Sequence, residues 1–99
     1  MTDTRPSKMR ESDIERRLIS AVQKEGGLCL KFAPPGMVGF PDRLVLLPGG
    51  LVVFVEVKKP GKKPTNLQVH RHGQLRSLGM RVYLLDDQEQ IKNIMRGGD

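Results

Sequence analysis

The sequence is poor in several residue types at once. It has one cysteine, Cys29, no tryptophan, one tyrosine and three phenylalanines in 99 residues. A single cysteine excludes an internal disulfide framework and a multi-cysteine zinc site, and it fits a reducing compartment. So few aromatics leave little for base-stacking platforms, so a nucleic-acid partner would be held mainly through phosphate. No apolar run approaches the ~20 residues of a membrane helix. The opening residues, MTDTRPSKMR, contain no apolar core of the kind a signal peptide carries. Acidic residues are also outnumbered: 11 Asp+Glu stand against 17 Lys+Arg, giving a net charge of +6 and a pI near 9.9. A chain of this charge suits a polyanionic partner, and its length suits a single domain.

What is present reads as alternating helices and strands. Residues 1–11 are polar and aperiodic, and they read as a flexible basic arm. Ser12-x-x-Glu15 has the spacing of a capping box. Ile14, Leu18 and Val22 then recur at helical spacing up to the Gly26-Gly27 stop. A short strand is expected over Leu28–Phe32, followed by a breaker-rich loop, Ala33 to Gly39. Arg43–Leu47 and Leu51–Val57 are two β-rich runs separated by Pro48-Gly49-Gly50, which predicts a tight hairpin covered on both faces. Lys58 to Pro64 is a basic linker. Thr65-x-x-Gln68 is a second capping box opening a helix to about Ser77, with Gly79 closing it. Arg81–Leu85 is a further strand and Asp87–Met95 a final helix. The order αβββαβα gives an α/β class: a mixed β-sheet flanked by helices, one domain over residues 12–96 with a tail at 97–99.

The hairpin carries the chemistry. If Leu47 faces Leu51, Asp42 faces Glu56, with Cβ atoms ~4.5–5.5 Å apart. Opposed carboxylates repel and call for a cation or a shared proton. Glu56 and Lys58 lie on one face because strand side chains alternate. Two carboxylates and an ammonium at a sheet end suit Mg²⁺, which takes one or two carboxylates. The simpler reading is a Glu56–Lys58 surface pair with Asp42 capping a turn. Glu15 falls inside the apolar stripe of its helix and needs a partner there, unless it folds back on Ser12. In the later helix Leu67, Leu75 and Leu78 mark the expected core side, which Arg71, Gln68 and His72 share or border; Gln68 and His72 are i, i+4 neighbours.

Gly39-Phe40-Pro41-Asp42 followed by Glu56-Val57-Lys58 resembles the PD-(D/E)XK signature of metal-dependent nucleases. The helical Glu15, the G-x-P-D motif, the Gly-Gly hairpin, the E-x-K motif and the helix with Gln68, His72, Leu75 and Gly79 together resemble the VRR-Nuc (virus-type replication-repair nuclease) family, over roughly residues 12–87. The resemblance implies a small restriction-endonuclease-like core and a DNA endonuclease that uses Mg²⁺ or Mn²⁺. It implies a metal held by Asp42, Glu56 and the Val57 carbonyl, with Glu15 supporting the metal or its waters. Lys58 would position the attacking water and Gln68 would support the site. Stand-alone members look like phage proteins, so a phage or prophage origin and the bacterial cytoplasm are expected. They also resemble Holliday-junction resolvases, so four-way junctions as substrate and a homodimer are expected. Arg10, Lys31, Arg43, Lys59, Lys62 and Lys63 flank the expected site and are candidate phosphate contacts. Two other readings stay open: a non-catalytic basic DNA-binding module that keeps the fold, and a basic protein that docks an acidic partner.

Overall fold

The structure is a computed structural model that describes residues 9–98. Most of the expected N-terminal arm, residues 1–8, lies outside the described residues. The elements run α1 (Glu11–Lys24), β1 (Leu28–Lys31), β2 (Arg43–Leu47), β3 (Leu51–Val57), α2 (Asn66–Ser77), β4 (Arg81–Leu85), a 3-10 turn (Gln88–Gln90) and α3 (Ile91–Met95). The order αβββαβα holds, with the final segment divided into the 3-10 turn and α3.

The sheet order is β1-β2-β3-β4. The first three strands are antiparallel, and β4 runs parallel to β3 because α2 carries the chain back across the sheet. The β2–β3 register pairs Leu47 with Leu51 and Arg43 with Val55, as the hairpin reading required. Gly49 and Gly50 both have positive φ, +86° and +82°, a backbone that glycine adopts without steric cost. Val53 to Val57 are buried in succession, so β3 is covered on both faces.

One layer of core lies between the sheet and α1 with α3: Ile14, Leu18 and Val22 pack on Val45, Val53, Val55, Leu85 and Ile94. The other lies beneath α2 and joins Phe54, Leu75 and Val82 to Phe32, Phe40, Leu44 and Met80. α2 leaves much of the β1 end of this second face open. There the cross-strand row Leu28–Leu46–Val52 shows apolar surface, with Leu28 58% and Val52 36% exposed.

Three local expectations change. α1 starts at Glu11, so the Ser12–Glu15 box does not form; the Arg10 N–H donates instead to the Asp13 carboxylate at 3.1 Å. That shift frees Glu15 for a partner on the sheet. α2 is turned from its expected orientation: Leu67 and Leu78 are exposed, while His72 and Leu75 are buried. Polar partners under the helix hold that rotation, as described below. The packed chain also extends past the expected 12–96, since Met9 packs on the core and the Tyr83 hydroxyl donates to the Gly98 carbonyl at 2.6 Å.

Candidate active site

Asp42 and Glu56 meet at the open end of the hairpin, one step beyond the Arg43–Val55 pair. Asp42 follows the buried Pro41, where β2 begins. Its Oδ1 accepts a hydrogen bond from the Val57 N–H at 2.9 Å. Burial raises the Asp42 pKa, the Val57 N–H opposes that rise, and the charges of Glu15 and Glu11 add to it. Glu56 is 4% exposed. Burial first, and then the neighbouring Asp42 charge, push its carboxyl from 4.5 up to about 7, against the lowering effect of Lys58.

The second helix reaches down onto Glu56. Gln68 Nε2 donates to Glu56 Oε2 at 3.2 Å, while the Gln68 Oε1 accepts from the Thr65 N–H at 2.9 Å. One side chain therefore starts the helix and orients the glutamate. His72, one turn on, sets its Nε2 3.5 Å from Glu56 Oε1. That contact is not a formed hydrogen bond, and both atoms are buried without a partner. Burial lowers the His72 pKa, helped by the charges of Arg76 and Lys58, so the pair tends toward neutral forms. Lys58 is buried, and its N–H donates to the Leu85 carbonyl at 2.9 Å, which fixes its backbone beside β4.

Glu15 does not converge on this pair. Its Oε2 accepts from Arg43 Nε at 2.9 Å, where Arg43 points to the α1 side of the sheet. Glu15 thus reaches Asp42 through its charge alone, in a position set by an ion pair. Arg43, a candidate phosphate contact, is half-buried in that pair. Arg10 lies at the start of α1, paired with Asp13 at 3.5 Å. Lys31 is exposed on the edge strand β1, and Lys59, Lys62 and Lys63 are exposed on the linker after Lys58.

Among the described residues no three acidic, histidine or cysteine side chains converge as a metal cluster. The donor set on offer is two carboxylates and the Val57 carbonyl, which leaves the strand on the same side as its N–H. A hard cation that keeps several waters is compatible with so few protein ligands. The Glu56 Oε1, buried and without a hydrogen-bond donor, is the kind of atom such a cation satisfies. His72 is the residue that sequence reasoning left outside the site. Its signal was the i, i+4 spacing from Gln68, which puts both on one helical face.

No protein-family model matches the chain. A solved structure described as a VRR_NUC domain superposes with a TM-score of 0.81 at 31% identity, over 87% of this chain and 94% of that one. A curated relative, "Putative nuclease p44" of Acyrthosiphon pisum secondary endosymbiont phage 1, is 51% identical over 81 residues, 82% of this chain and 87% of the relative. The fold and these likenesses define a nuclease. The chain belongs to the VRR-Nuc family. No helix among the described residues is long and apolar enough to cross a membrane.

Proposed function

We propose that this nuclease is a DNA endonuclease that hydrolyses phosphodiester bonds with Mg²⁺ or Mn²⁺. The observation that carries the reading is the pairing of Asp42 with Glu56 across the hairpin, with one buried Glu56 oxygen lacking a donor. Two opposed acids are unfavourable in a sheet unless a cation joins them or one of them keeps a proton, and α2 places a glutamine and a histidine over one of them.

Asp42, Glu56 and the Val57 carbonyl would hold the cation. When bound, it supplies charge neutralisation at the phosphate and acidifies water at the site. The remaining roles fall to the chain itself. Lys58 orients water and stabilises negative charge growing on the phosphate. Gln68 orients the Glu56 carboxylate through its hydrogen bond, and His72 stands beside the other oxygen. Glu15, held by Arg43, contributes negative charge near Asp42. The net charge of +6 and the exposed Lys59, Lys62 and Lys63 support a polyanionic substrate.

The finer reading is a structure-specific enzyme that resolves four-way junctions as a homodimer in the bacterial cytoplasm. The open Leu28–Leu46–Val52 row supports self-association, because a two-fold axis through it buries the same apolar row from both copies. Cleavage of duplex, flap, splayed and four-way-junction DNA, each with Mg²⁺, Mn²⁺ or EDTA, tests the activity. Cutting that needs metal and fails in Asp42→Asn supports it. Metal-independent cutting, or none on any substrate, overturns it. Sedimentation showing an 11.1 kDa monomer during junction cutting would remove the dimer.

A further inference from the structure

Beside Asp42 lies a cavity of about 300 Å³ whose walls include Phe32, Pro34, Met37, Val38 and Phe40. Among the described residues Asp42 is the one charged residue lining it. Two of the three phenylalanines of this aromatic-poor chain are therefore gathered next to the acid pair. They meet edge to face, with ring centroids 6.1 Å apart.

The loop around the cavity is held in place. The Arg71 Nε donates to the Val38 carbonyl at 3.0 Å, and its guanidinium lies 4.8 Å from the centre of the Phe40 ring. Arg71 is itself fixed by the Gln74 carboxamide oxygen at 2.9 Å. Gly39 has φ +88°, and a Cβ there would come 2.6 Å from Leu67, so loop and helix approach as closely as glycine permits. On this anchored loop Val38 is 68% exposed and Met37 47% exposed.

A phosphate brought to Asp42 and Glu56 carries a nucleoside on each side, so a base lies within one nucleotide of the cavity. Among the described residues the lining contains no cation, so the cavity does not suit phosphate. It suits a flat, neutral ring. Apolar walls contact the face of any base, whereas reading base edges requires placed donors and acceptors. A base stacked within duplex DNA is not free to enter; an unpaired or unstacked one is, and extruding it is easiest where pairing is already broken. Apolar side chains that project beside such a base can replace its stacking neighbour.

We propose that this cavity receives an unpaired nucleobase next to the cleaved phosphate, with Met37 and Val38 taking the place of its stacking partner. The proposal rests on the DNA endonuclease reading and deepens it: preference for branched or damaged DNA arises from base exposure at the cut, without sequence reading.

Binding is measured in EDTA at low salt, apart from cutting. The DNA is a duplex with one unpaired nucleotide, compared with the same duplex carrying an abasic residue at that position. The wild-type protein binds the base-bearing DNA about tenfold more tightly, in the range of a base–aromatic contact. Val38→Ser, at an exposed tip that leaves the core intact and adds no charge, and Phe40→Leu, which keeps an apolar side chain, both reduce that ratio toward one. Their affinity for fully paired duplex is unchanged, which shows that the fold and the phosphate contacts survive. Equal wild-type affinity for base-bearing and abasic DNA overturns the proposal, as does a ratio that persists in both variants. If metal-dependent cutting is present without base dependence, the cavity proposal falls and the endonuclease reading stands. If the wild-type protein neither binds nor cuts DNA, both fall.

Discussion

Asp42 and Val57 are joined across the mouth of the hairpin: the Val57 N–H, buried at the end of β3, donates to the Asp42 carboxylate at 2.9 Å. The same aspartate that faces Glu56 therefore also closes the β2–β3 ladder. Asp42→Asn keeps an acceptor for Val57, while Asp42→Ala leaves a buried donor unpaired, which costs about 1–3 kcal/mol. Both substitutions should abolish cleavage. Thermal melts should separate them, with Asp42→Asn close to wild type and Asp42→Ala lower.

Glu56 gives metal-free stability a distinctive pH dependence. Its carboxyl titrates near 7 in the fold and near 4.5 in the unfolded chain. Between those values the fold retains a proton that the unfolded chain has released, so this group's contribution falls as pH rises, by up to a few kcal/mol. His72, whose pKa is lowered, acts in the opposite direction below its ordinary value of 6.5. Melts in EDTA from pH 4.5 to 8, on wild type and Glu56→Gln, isolate the glutamate. The stability difference should shift in favour of Glu56→Gln as pH rises.

The two α2 side chains over Glu56 should govern metal affinity. Groups that orient a ligand typically change affinity 10–100-fold when removed. His72→Ala and Gln68→Ala should each weaken Mn²⁺ binding within that range, read by calorimetric titration. Gln68→Ala should also lower the melting temperature, because Gln68 closes the α2 capping box with Thr65.

Lys58 should separate binding from turnover. Lys58→Ala leaves both carboxylates in place, so metal titration should be near wild type. Single-turnover cleavage should fall by about 10²–10³, the scale of removing a charge-stabilising group.

The basic residues should divide into two classes by salt dependence. Lys59→Ala, Lys62→Ala and Lys63→Ala should each flatten the plot of log K against log salt by about 0.9 for every phosphate no longer neutralised, with little change in melting temperature. Arg43→Ala should do the reverse, lowering stability with the slope unchanged, because its guanidinium holds Glu15.

The β2–β3 hairpin, α2 and β4 were legible because their signals are local. Pro48-Gly49-Gly50 sets the register, Thr65 and Gln68 mark a helix start, and β-rich runs bound the strands. Asp42 opposite Glu56 followed from that register alone. The start of α1 is misread because Ser12-x-x-Glu15 has capping-box spacing, whereas in the fold the Asp13 carboxylate accepts from the Arg10 N–H and the helix begins at Glu11. The rotation of α2 is hidden because hydrophobic periodicity centres the core side on Leu67 and Leu78, which are exposed, and leaves His72 at its border, which is buried. The charge of Arg43 is visible in sequence, while its ion pair with Glu15 is not, because the two are distant along the chain and close only in the fold.

The hairpin and α2 confine Asp42, Glu56, Lys58, Gln68 and His72 to one continuous stretch of chain, and the edge strands β1 and β4 supply none of them. Contacts of short sequence separation form early and at low loop-closure cost. The site is thus written in about thirty consecutive residues, and the edge strands enter it only as support, β4 through the Leu85 carbonyl that holds Lys58.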